Sequence, residues 1–167
     1  MTDTRTVVIG MNNPHSEDPE QALAPYPKGV AGQRLHDMLA EVRPDTFRSV
    51  YMRGFDRRNM LIGRVWSLGA ARQVAPALWQ SLEGRRVLLL GVEVLSALKL
   101  PQVPALAWQR STPSLFGGAG PERWCYVPHP SGLNRWYNFP VHRAMVGMRL
   151  EQELERWMAC QGDDPVT

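Results

Sequence analysis

Three continuous apolar runs, each of strand length and each cut off by polar or turn-forming residues, constrain this chain most. Thr6-Val7-Val8-Ile9-Gly10-Met11 leads into Asn12-Asn13-Pro14, and Val87-Leu88-Leu89-Leu90-Gly91-Val92 leads into a short helical segment. Trp124-Cys125-Tyr126-Val127-Pro128 leads into His129-Pro130-Ser131. A strand with one solvated face alternates polar and apolar residues, whereas a run that is apolar throughout has to be covered on both faces. Such strands separated by helical segments predict a parallel sheet held between two layers of helices.

The intervening segments carry the matching helical period. A helix opening at Gly29-Val30-Ala31-Gly32 runs through Leu35, Met38, Leu39 and Val42, and Ala70, Val74, Leu78 and Leu82 form the buried stripe of another. Pro76 predicts a kink there, or two shorter helices. Glu93 to Leu100 fits a short helix, Pro101 to Ala107 a loop, and Ser111 to Pro121 a flexible connection. Val141, Met145, Met148, Leu150, Leu154 and Trp157 mark a terminal helix. After a break at Pro44-Asp45, Phe47 to Met52 reads as the second strand, with Arg53-Gly54-Phe55-Asp56-Arg57-Arg58-Asn59 as a basic loop at its tip. The expected fold is α/β, a three-layer sandwich with a central four-stranded parallel sheet flanked by helices. The 167 residues fit one domain, 1–167, with frayed ends at about 1–5 and 161–167.

Cys125 and Cys160 stand far apart, and no Cys-x-x-Cys or paired Cys/His spacing occurs, so no disulfide framework, zinc site, iron–sulfur cluster or other cofactor is expected. No apolar run is long enough to span a bilayer, and the first residues lack the apolar region of a signal peptide. A soluble cytoplasmic protein without a membrane partner is expected. The net charge of +3 is modest and is carried by arginines, lysine occurring only at Lys28 and Lys99. Arginine suits bidentate phosphate contacts and stacking, which leans toward nucleic acid. A genome rich in G and C gives the same bias.

Open α/β sheets bind their ligands beyond the carboxyl ends of the strands, so the candidate residues are those that follow each strand. Asn12 and Asn13 offer two carboxamides at the first tip, as a polar site or as ordinary Asn-Asn-Pro turn chemistry. The arginines from Arg53 to Arg58 can meet phosphate or simply face water. Beyond the last strand, His129 can donate to a developing anion, and Ser131 with the amides around Gly132 can hold a phosphate. Leu133, Arg135 and Trp136 can enter a groove or replace a stacked base. The plain alternative is a proline-rich turn in which a backbone carbonyl satisfies His129.

Taken together, Gly10-Met11-Asn12-Asn13-Pro14 and His129-Pro130-Ser131-Gly132-Leu133-Asn134-Arg135 resemble the two signature motifs of the uracil-DNA glycosylase superfamily. The first is similar to the Gly-x-Asn-Pro form of the mismatch-specific and single-strand-selective branches. The second is similar to the His-Pro-Ser or Asn-Pro-Ser-Gly-Leu loop. Pro27 to Leu35, with Ala31-Gly32-Gln33, is similar to the segment after the first motif, so the resemblance spans most of the chain in order and spacing. It implies a monofunctional DNA glycosylase that needs no cofactor; a monomer is expected. Its substrate would be uracil or a related pyrimidine, thymine-derived and hypermodified bases included, in single- or double-stranded DNA. The base is turned out of the stack and its N-glycosidic bond hydrolysed, leaving an abasic site, a step of base-excision DNA repair.

Carried over residue by residue, the resemblance makes Asn12, counted from Gly10, the residue that orients the attacking water. Counting back from Pro14 selects Asn13 instead; the count from the glycine is preferred. His129 would stabilise charge on the leaving base, Pro130 and Ser131 would pinch the phosphate backbone with Gly132 beside them in the DNA-binding loop, and Leu133, with Asn134 and Arg135, would fill the gap left in the stack. Met11 and Tyr26 would contact the base, Tyr26 being the nearest aromatic to the position where many members stack a phenylalanine. Met52, Arg53 and Asn59 are the candidates for reading the base edge. Without a four-cysteine set the chain does not resemble the cluster-containing branches. The alternatives are a glycosylase-fold protein that binds DNA or a nucleotide without cutting, and an unrelated flavodoxin-like domain whose motifs coincide.

Overall fold

The computed structural model describes residues 2–112 and 116–162. Five strands, β1 (Thr6–Asn12), β2 (Phe55–Leu61), β3 (Arg86–Leu90), β4 (Trp108–Arg110) and β5 (Arg123–Val127), form one sheet in the order β2-β1-β3-β5-β4. All neighbours pair in parallel except β4, which runs antiparallel to β5 at one edge. Helices α1 (Ala31–Val42), α2 (Arg48–Gly54) and α5 (Pro140–Gln161) cover one face, and α3 (Leu68–Ser81) and α4 (Val92–Ala97) cover the other. The α/β sandwich with a mostly parallel sheet is therefore as expected. The sheet has five strands rather than four, because β4 is too short to leave a periodic signal.

The expected strand at Phe47–Met52 is the helix α2, and the expected basic loop after it is β2 itself. Its aromatic and β-branched residues suggested extended chain. Burial nevertheless falls on Tyr51 and Gly54, three residues apart, as on a helix face. The true strand hid behind its charges because it lies at the sheet edge, where charged side chains are tolerated and block further pairing. Those charges are paired within the fold: Arg58 and Arg85 meet Asp56 at 2.8 and 3.1 Å, and Arg57 donates to the Ala22 carbonyl at 2.5 Å.

β1 separates two apolar layers. Val8 packs with Leu35, Met38, Leu39, Leu88, Leu150 and Leu154, while Val7 and Ile9 pack with Ala71, Ala75, Trp79, Val87, Leu89 and Leu95. α3 passes through Pro76 as one helix, and its buried face is Ala71, Ala75 and Trp79 followed by Leu82. That face is turned by one residue from the stripe of Ala70, Val74 and Leu78. In α5, likewise, Val146, Gly147, Leu150 and Leu154 are buried, whereas Val141, Met145 and Met148 face solvent. A Cβ on Gly147 would stand 2.2 Å from the Met38 carbonyl oxygen, so α1 and α5 touch backbone to backbone. Cys125 is buried under this layer, where burial pushes its thiol up to about 11, and Cys160 is exposed at the end of α5.

At the amino ends of the strands, Glu153 of α5 is buried to 2% exposure. It accepts from the Thr6 hydroxyl at 2.6 Å and from the Arg86 guanidinium at 2.8 and 3.0 Å, with Arg156 Nε 3.3 Å away. Burial alone would push this carboxyl up, but the hydrogen bonds from Arg86 and Thr6 and the charges of Arg86 and Arg156 hold it below its ordinary value. The same corner ties down the start of the chain: Arg85 donates to the Arg5 carbonyl and Arg156 to the Thr4 carbonyl, so residues 4 and 5 are anchored, contrary to the expected fraying. The expected tail beyond Gly162 and the middle of the Ser111–Pro121 connection lie outside the described residues. Among the described residues no helix is long and apolar enough to cross a membrane.

Replacing Glu153 by alanine leaves Arg86 without its carboxylate in a half-buried site, and is expected to lower stability by about 3 kcal/mol, read from urea unfolding. Because the folded-state value is depressed, this contribution is complete above the ordinary glutamate value and is lost as pH falls through the folded one. The difference between wild type and Glu153→Ala should therefore shrink on acidification.

Candidate functional site

The chain leaves β1 for β2 on one side and returns to β3 on the other, so the strand order switches sides at the tip of β1. In open sheets that is where clefts form. A cleft of about 490 Å³ opens there, lined by Met11, Asn12, Asn13, Tyr26, Asn59, His129, Ser131 and Gly132 together with the Gln21–Ala24 loop and the start of α1. Sequence positions more than a hundred residues apart thus share one wall.

Each polar side chain in the cleft has a distinct bonding state. Asn12 donates its Nδ2 to the Gly63 carbonyl at 3.1 Å, and its Oδ1 has no hydrogen-bond partner among the described residues. Asn13 is occupied at both ends, Nδ2 donating to the Gln21 carbonyl at 3.1 Å and Oδ1 accepting from the His15 amide at 2.9 Å. Asn13 therefore shapes the turn, and Asn12 holds the open valence. Asn59 lies on β2 in register with Gly10, and its Oδ1 is buried with no hydrogen-bond partner among the described residues. The space it fills exists because residue 10 has no side chain: a Cβ there would stand 2.8 Å from that oxygen.

His129 follows β5 and packs its ring over Gly91, whose φ of +93° and lack of a Cβ leave the imidazole room; an added Cβ would stand 3.0 Å from that of His129. Neither ring nitrogen has a hydrogen-bond partner among the described residues, so the carbonyl-satisfied turn histidine is not what is found. Burial holds the imidazole below its ordinary value, so at neutral pH it is an uncharged ring with one N–H to give.

The loop after His129 is fixed by its own backbone. The His129 carbonyl accepts from the Ser131 amide at 2.8 Å and from Asn134 Nδ2 at 3.0 Å, and the Tyr137 hydroxyl donates to the Pro128 carbonyl at 2.6 Å. Asn134 Oδ1 caps the short 3₁₀ turn Arg135–Asn138 through the Trp136 amide, so Asn134 braces the loop. Pro130 is buried, Leu133 projects at 94% exposure, and Arg135 is exposed beside it. The facing wall is held from below by Arg57 and by the Tyr51 hydroxyl, which donates to the Leu23 carbonyl at 3.0 Å.

Of the residues singled out in the sequence, Met52 and Arg53 do not reach the cleft. Both belong to α2, before β2 begins: Met52 packs against the core, and Arg53 is exposed and bonded back to the Ser49 carbonyl. Asn59 stays as the strand-two candidate, since the strand ends at Leu61. The sequence reading missed Gly63 and Gly91 as supports of Asn12 and His129, and Arg34, whose guanidinium lies against Gly132. Gly91 did carry a signal, being the glycine that closes an apolar run. No cluster of three or more His, Cys, Asp or Glu side chains able to hold a metal occurs among the described residues. No protein-family model, curated protein or solved structure matches this chain at a significant level.

Two outcomes follow from this geometry. A histidine-detected NMR titration should place the His129 midpoint below the ordinary histidine value, and protonation should then oppose folding as pH falls through that value. Gly91→Ala puts an L residue at φ +93° and ψ 158°, a region essentially reserved for glycine, and should cost about 1–3 kcal/mol of stability in chemical denaturation, with a displaced His129 resonance.

Proposed function

We propose that this protein is a monofunctional DNA glycosylase that hydrolyses the N-glycosidic bond of uracil or a related pyrimidine turned out of DNA, leaving an abasic site. The observation that carries the reading is the meeting, in one cleft, of Asn12, Asn59 and His129, each with a polar atom that has no hydrogen-bond partner among the described residues. Convergent polar groups in a concave site are what a small polar ligand requires.

Their chemistry suits that reaction. The free Oδ1 of Asn12 can accept from a water and aim its oxygen at the anomeric carbon. As the new C–O bond forms, the bond to the base nitrogen breaks and the electron pair leaves with the base. Negative charge spreads over the pyrimidine carbonyl oxygens, where a neutral imidazole N–H from the half-buried His129 stabilises it. The water's proton goes to the departing base or to solvent. The carboxamide of Asn59 is complementary to a carbonyl beside an imide N–H, the edge that uracil and thymine share and cytosine lacks. Tyr26 offers a ring face at the cleft mouth, and Leu133 is exposed where it can occupy the vacated place in the stack.

Oligonucleotides carrying uracil, mismatched thymine or 5-hydroxymethyluracil, single- and double-stranded, followed by alkali, test this directly. Strand scission is expected, reduced about 10²- to 10³-fold in Asn12→Ala and in His129→Ala and largely retained in Asn13→Ala. Salt-sensitive DNA binding with no scission on any substrate would favour a protein that grips without cutting. Absence of both would reject the reading.

A further inference from the structure

The loop after β2, residues 62–66, supplies no group to the chemistry above. Its tip is Ile62-Gly63-Arg64-Val65, in which Ile62 is 71% and Val65 80% exposed. Arg64 between them is exposed and has no acidic partner or hydrogen bond among the described residues. Two exposed apolar side chains thus flank a cation that has no partner among the described residues. They suit a surface that is both anionic and stacked, as a nucleic-acid strand is.

The loop is also held in a definite place. The Gly63 carbonyl accepts from Asn12 Nδ2, and Trp66 Nε1 donates to Glu93 Oε2 at 3.3 Å, which pins the loop's far end to the first turn of α4. Since β2 is parallel to β1, β3 and β5, the loop leaves the sheet at the same end as His129 and Leu133. β2 and β5 lie on opposite sides of β1 in the sheet, so the two exposed apolar tips stand on opposite sides of the cleft.

We infer that residues 62–66 are a second DNA-contacting loop, with Arg64 on a backbone phosphate and Ile62 and Val65 against the sugars or bases on the side of the cleft away from Leu133. This rests on reading the cleft as a site for a base everted from DNA, and it adds an element that the sequence motifs do not contain. Contact there is coupled to Asn12 through the Gly63 carbonyl.

The test is the affinity of the full chain for a labelled duplex bearing a stable abasic-site analogue, measured across salt concentrations. One phosphate contact is worth about eightfold in affinity at 0.1 M salt, so Arg64→Gln should weaken binding by about that factor and lower the salt slope by about one. Ile62→Ser with Val65→Ser should weaken binding several-fold and leave the slope unchanged. All three positions are exposed, and circular dichroism of each variant checks that it folds. If these variants keep wild-type affinity and slope, the loop is no contact and the inference is overturned, whether or not Leu133→Ala weakens binding and whether or not the wild type excises a base. If the wild type binds no DNA, the inference and the reading beneath it fall together. Binding that depends on the loop in a protein that excises nothing would sustain the inference and refute the glycosylase.

Discussion

The structure depends on one strand being covered on both faces. Val7, Val8 and Ile9 of β1 have almost no solvent contact, and the strand pairs in parallel with β2 on one side and β3 on the other. Slipping it by one residue would move each side-chain set into the layer shaped for the other, so its register is strongly specified. Register then decides what stands at each end. Thr6 is brought to Glu153 at the amino end, and Asn12 to the tip where the strand order switches sides at the other. The ionic corner and the cleft are two ends of a single constraint.

Within the cleft the decisive groups are accommodated by vacancies. Gly10 and Gly91 end apolar runs, and each leaves the volume of a Cβ into which a neighbouring functional side chain fits, Asn59 in one case and His129 in the other. The Asn59 oxygen, buried without a partner among the described residues, opposes stability, since a buried polar atom with no hydrogen bond costs roughly 1–3 kcal/mol. The fold tolerates this beside a buried apolar core, and it holds the chain around the cleft by side-chain bonds from Asn12, Tyr51 and Tyr137 to the carbonyls of Gly63, Leu23 and Pro128.

How much of this could be read from the chain follows from where each signal lives. β1, β3 and β5 are apolar on both faces and were legible as such, as were α1, α4 and the extent of α5. β2 was not, because an edge strand with four polar residues in a row has no two-faced apolar signature, and the β-prone composition of Phe47–Met52 stood nearby as a decoy. The buried faces of α3 and α5 were misjudged where small residues did the packing: Ala71, Ala75 and Gly147 let elements approach closely, while bulkier Val74, Met145 and Met148 stayed outside. Hydrophobic period reads size and polarity, not closeness. At the cleft, Asn12, Asn59 and His129 were named from the sequence. The division of labour between Asn12 and Asn13 was invisible until hydrogen bonds showed which carboxamide was already engaged.

The contrast between the two thiols has a practical consequence. Cys125 is enclosed and its thiol is held up at about 11, so it reacts sluggishly with alkylating reagents, whereas Cys160 stands free on α5 beyond Glu153, at the end of the molecule away from the cleft. A maleimide dye or spin label added to the native protein would attach at one position, without mutagenesis and without touching the mouth of the cleft. The molecule thus comes with its own attachment point for watching single encounters with a ligand.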